Sequence, residues 1–97
     1  MSSTKSSYKD LEVWQRSMGL AERVYGVTRQ LPHEEKFALS DQLRRACVSV
    51  PSNLAEGQRR FSKKEMARYA SISLGSVAEI ETQLLLCERI YKIEVGS

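Results

Sequence analysis

Few residues of this chain could do chemistry. Its one histidine, His33, stands in a charged stretch that opens a predicted helix and reads as a solvated surface group. Cys47 and Cys87 lie far apart with no second histidine to complete a metal set, and both fall within apolar patterns. They read as small core thiols, which suits a reducing cytoplasm. No Glu-x-x-His pair, Walker A loop or dinucleotide-type glycine pattern occurs, and nothing singles out a serine nucleophile. Glu56, Glu79 and Glu81 sit in or beside apolar stretches. Buried ion pairs with Arg44 or Arg45, or bonds to helix ends, are the expected use, with a pair of general acids as the alternative. No catalytic residue, metal or cofactor is expected, and no enzymatic activity.

The stronger lead is charge. The formal net charge is +3, unevenly spread. Residues 1–35 balance, residues 36–68 are strongly basic, residues 69–78 are uncharged and the remainder is acidic. Arg59, Arg60, Lys63, Lys64 and Arg68 fall within ten residues, interrupted by Glu65 alone, with Phe61 among them able to stack on a base. Arg44 and Arg45 could extend the patch. Such a cluster suits phosphate contacts; a merely solubilising turn is the competing interpretation.

The elements that must position these groups are helices. At 97 residues and 11.0 kDa there is room for one domain, and two prolines with five glycines argue against a turn-rich β fold. Leu11, Trp14, Met18, Ala21, Tyr25 and Thr28 form one helical seam, and Val13, Leu20, Val24, Val27 and Leu31 a second. This predicts a first helix over about 8–31, after a frayed segment 1–7. The second seam calls for another partner, such as another subunit. Pro32 ends the first helix and opens a second over about 33–57. Its stripe is Leu39, Leu43, Ala46, Val50 and Leu54, with a kink near Pro51 and Gly57 as C-cap. Ser49, Ser52 and Asn53 could satisfy carbonyl groups freed at the proline. Ser62-Lys63-Lys64-Glu65 fits a capping box opening a third helix over about 63–91. That helix is apolar nearly all round and so is expected to be buried, with Gly75 and Ser76 admitting a neighbouring helix. The N-terminal stretch lacks the apolar core of a signal peptide, and no apolar run is long enough to span a membrane.

Tyr8-Lys9-Asp10-Leu11-Glu12-Val13-Trp14, Leu31-Pro32, Glu35-Lys36-Phe37 and Gln42-Leu43-Arg44-Arg45-Ala46 form a familiar opening. Val48-Ser49-Val50-Pro51-Ser52-Asn53-Leu54-Ala55-Glu56-Gly57 and Gly75-Ser76 with Glu79-Ile80-Glu81-Thr82-Gln83-Leu84 complete the pattern. From Tyr8 to Tyr91 the chain resembles the bacterial four-helix bundle proteins first noticed in intervening sequences of large-subunit ribosomal RNA genes. The resemblance implies a cytoplasmic, all-α antiparallel helical bundle that assembles into a homo-oligomeric ring, typically a pentamer. It transfers no catalytic residue. A similar protein, the accessory variability determinant of diversity-generating retroelements, is a basic pentamer that binds nucleic acid and partners a reverse transcriptase. A nucleic-acid-binding scaffold, with a protein partner of that kind, is therefore expected by analogy; a protein–protein adaptor is the alternative. After Tyr91 too few residues remain for the family's fourth helix. The expectation is three long helices with the fourth absent or truncated: either the protein is truncated or a neighbouring subunit covers the groove.

Overall fold

The computed structural model describes residues 7–96, so most of the segment expected to fray lies outside the described residues. Three α-helices make up the fold: α1 (Glu12–Thr28), α2 (Leu39–Gln58) and α3 (Lys63–Tyr91). Among the described residues there is no strand. Helix α2 is central; α1 and α3 each pack antiparallel against it, while their own backbones do not approach closely. The body is 50 × 24 × 22 Å, its long dimension set by α3.

Helix α1 is shorter than its periodicity suggests. Tyr8–Asp10 form a separate 3-10 turn, capped by Ser7 Oγ accepting from the Lys9 N–H, and Leu11 is extended. Edge-to-face packing of Tyr8 on Trp14 and a hydrogen bond from Gln15 Nε2 to the Lys9 carbonyl hold this turn against α1. The helix stops at Thr28, whose hydroxyl donates back to the Tyr25 carbonyl, because Pro32 keeps the residue before it out of helical geometry. Leu31 is buried nonetheless.

The second helix also starts later than expected. His33–Glu35 form a 3-10 turn, and α2 begins at Leu39. Glu35 reaches forward so that Oε1 accepts from the Leu39 N–H at 3.2 Å, standing in for an N-cap side chain that Ala38 cannot supply. Glu35 Oε2 accepts from the Tyr91 hydroxyl, tying the last turn of α3 to the start of α2. This bond pushes the Tyr91 phenol up to about 12.

Helix α2 runs unbroken through the buried Pro51. Asn53 Nδ2 donates to the Ser49 carbonyl and hydroxyl, at 2.8 and 2.9 Å. Helix α3 bonds into the same region: Ser73 Oγ donates to the Val50 carbonyl and Ser76 Oγ to Ser49 Oγ, both at 3.0 Å. Gly57 is not a C-cap. It is buried inside α2, where an added Cβ would lie 2.9 Å from Tyr69 Cβ, so its missing side chain lets α2 and α3 approach. Gly75, expected to do that job, faces open space.

The core lies toward the α1–α2 turn: Val24, Val27 and Leu31 meet Leu43, Ala46, Cys47 and Val50, with Ile80, Cys87 and Ile93 from the other side. Burial pushes both thiols up. After α3, Lys92 takes the left-handed conformation that closes a helix, with its N–H on the Glu88 carbonyl. The chain then turns back to bury Ile93. Helix α3 is not the buried helix its composition suggests. Ile72, Leu74, Leu85, Leu86 and Ile90 are exposed, Leu74 at 70%, because only one face of α3 meets α2.

Candidate nucleic-acid interface

The turn between α2 and α3 gathers five of the seven basic residues singled out above, at the end of the body far from the core. Arg59 caps α2, and its backbone N–H returns to the Glu56 and Gly57 carbonyls. Ser62 opens α3, its Oγ accepting from the Glu65 N–H at 3.2 Å. Only half of the expected capping box is made, since the Glu65 carboxylate turns instead to Arg68 at 3.1 Å. That ion pair holds the Glu65 carboxyl below its usual range.

Two of the five cations are used internally. Arg60 pairs with Glu56 and donates to the Tyr69 hydroxyl at 2.9 Å. Its guanidinium carbon lies 5.1 Å from the Tyr69 ring centroid, and that of Arg68 lies 4.6 Å away. Gly57 makes room for this cluster by admitting Tyr69 against α2. The side chains of Arg59, Lys63 and Lys64 are exposed and make no hydrogen bond or ion pair among the described residues. Lys63 and Lys64 occupy the first turn of α3, where the helix dipole disfavours cations. Across residues 56–68, five cations face only Glu56 and Glu65, so this segment carries a net charge equal to that of the whole chain, +3. Phe61 stands at the tip, 97% exposed.

Arg44 and Arg45 do not extend this patch. They lie in the middle of α2, roughly 20 Å from Arg59 along the helix axis at 1.5 Å per residue. Arg45 pairs with Asp41 at 2.9 Å, and Arg44 Nε donates to the Ser40 carbonyl. The expected buried ion pairs with Glu56, Glu79 and Glu81 are absent among the described residues. Glu56 is half-buried and serves Arg60, while Glu79 and Glu81 are exposed because they fall off the α2-facing side of α3. No three His, Cys, Asp or Glu side chains among the described residues gather to hold a metal ion.

A second surface is apolar. Because the backbones of α1 and α3 stay well apart, a groove of about 480 Å³ opens between them, lined by Leu20, Val77, Ile80, Leu84, Leu85 and Val95. Arg23 on one wall and Glu81 on the other mark its rim. The aromatic–guanidinium cluster on Tyr69 and the role of Gly57 carry no signal in the sequence, since both depend on how α2 and α3 meet across the turn.

Fold and surface together define a small all-α protein of antiparallel helices with a basic turn at one end and an apolar groove along its side. No helix among the described residues is long and apolar enough to cross a membrane. The 23S rRNA-intervening sequence protein family matches over residues 9–95, nearly the whole chain, and the protein belongs to that family. No curated protein matches it.

Proposed function

We propose that this protein is a non-enzymatic helical scaffold that binds nucleic acid through the α2–α3 turn. The observation that carries the reading is the set of three exposed cations, Arg59, Lys63 and Lys64, left unpaired where the net charge concentrates. Phosphate contacts of this kind are sequence-independent and release counterions, so binding falls with salt. Arg60 and Arg68 are already engaged with Glu56, Glu65 and Tyr69, and contribute less. Exposed apolar side chains on α3, and the groove beside them, support assembly into a homo-oligomer, a pentamer on the family resemblance. Assembly would repeat the basic turn and sum its field.

The test is a variant with Arg59, Lys63 and Lys64 replaced by glutamine. It should keep its helical circular dichroism and lose most affinity for a generic RNA or DNA. Full affinity in that variant would remove the assigned site. The groove favours a second reading, a protein–protein adaptor in which apolar contact does the binding. A partner interaction insensitive to salt would favour that reading.

A further inference from the structure

Resting on the nucleic-acid reading above, we propose that Glu56 and Glu65 hold Arg60 and Arg68 back from phosphate, so that the α2–α3 turn keeps two guanidiniums in reserve and its acids limit its affinity. These are the two acids of residues 56–68, and each sits three or four residues before the arginine it pairs with. That spacing brings both ends together across one turn. Glu56 Oε2 meets Arg60 Nη2, and Glu65 Oε1 meets Arg68 Nη2 at 3.1 Å.

Both guanidiniums are already gathered in one place. Tyr69 holds them against its ring, their carbons 5.1 and 4.6 Å from its centroid, and its hydroxyl accepts from Arg60 Nη2. Ring contact uses the face of a guanidinium and leaves its N–H edge for an anion. Here a carboxylate takes that edge, and carboxylate and phosphate ask for the same donors. A phosphate arriving at Arg60 or Arg68 must therefore displace an acid tethered to the same chain, which is always present at high effective concentration. Arg59, Lys63 and Lys64 have no such rival among the described residues. The four paired side chains are 41–55% exposed, so each pair is screened by solvent and shallow. Removing the acids costs the fold little and shows in binding.

The experiment is fluorescence anisotropy with labelled oligo(dT) over a range of salt. It uses wild type, Glu56→Gln/Glu65→Gln, that variant with Arg60→Gln/Arg68→Gln added, and Asp41→Asn. Asp41 pairs with Arg45 in α2, about 27 Å from Arg59 along the axis, so its loss frees an arginine away from the turn. Glutamine at position 65 can still close a capping box with Ser62, and every variant should keep its helical circular dichroism. Glu56→Gln/Glu65→Gln should bind about 2- to 30-fold more tightly than wild type, the release of two exposed ion pairs. Its plot of log K against log salt should be steeper by about 1.4, two added contacts at about 0.7 each. Removing both arginines from it should return the slope to the wild-type value, and Asp41→Asn should keep that value. Tighter binding at an unchanged slope would mean that the acids act by repulsion at a distance; the reserve would be overturned and the charge site would stand. Unchanged affinity and slope would overturn the reserve in the same way. If neither wild type nor any variant binds, the nucleic-acid reading falls and the reserve falls with it.

Discussion

Replacing Gly57 by alanine should destabilise this protein, although the same change in an open helix stabilises. Alanine is favoured over glycine in a helix interior by about 1 kcal/mol. Gly75, in α3 with nothing within 4 Å of an added Cβ, should show that gain. At Gly57 the new methyl would lie 2.9 Å from Tyr69 Cβ and 3.5 Å from the Met66 carbonyl oxygen. Neither contact can give way by rotating a side chain, since a Cβ and a carbonyl move only with their backbone. Helices α2 and α3 must separate locally, an overpacking cost of about 1–3 kcal/mol against the propensity gain. The two variants should therefore differ by about 1–3 kcal/mol, or roughly 4–20 °C in Tm for a domain of this size. Thermal and urea unfolding followed by circular dichroism would read this difference directly. Gly57→Ala melting as high as Gly75→Ala would refute the close approach, and with it the account of how Tyr69 comes to sit beneath Arg60 and Arg68.

Two other sites make sharp tests. The Tyr91–Glu35 bond raises the phenol to about 12, so its stabilisation is complete below the ordinary tyrosine value near 10 and is lost as pH climbs from there through 12. Tyr91→Phe should be less stable at neutral pH and show a smaller alkaline loss; urea midpoints measured across that range check this. Gln83 is buried, with Nε2 on the Gln42 amide oxygen but Oε1 without a partner. Gln83→Met should remove that buried orphan and, with Gln42 open to solvent, raise stability by about 1 kcal/mol, measured by urea unfolding.

Much of this architecture is legible in the sequence because it depends on period and punctuation. The stripe Leu43, Ala46 and Val50 faces the core, and Ser62 caps α3. What the pattern hid are features made by chains meeting. The start of α2 at Leu39 rests on a carboxylate four residues earlier, Glu35, itself held by Tyr91 from the far end of the fold. Gly57 reads in sequence as a C-cap and Gly75 as the point of close approach, yet it is Gly57 that faces a neighbouring helix. The apolar sides of α3 look like core by composition, but α2 can cover only one of them, and Leu74 and Leu85 stay exposed. The basic cluster was visible as charge. Which cations remain available was not, because Glu56, Glu65 and Tyr69 claim Arg60 and Arg68 through pairings spanning up to nine residues of turn and helix.

The most direct measurement is the dependence of single-strand affinity on salt, for wild type beside Lys63→Gln/Lys64→Gln. If these lysines contact phosphates, log K falls linearly with log salt in wild type. Each lost contact then reduces the slope by about 0.7, so the double variant should be shallower by about 1.4 per turn engaged. Identical slopes in the two proteins, or affinity that ignores salt altogether, would contradict the claim that this turn binds nucleic acid.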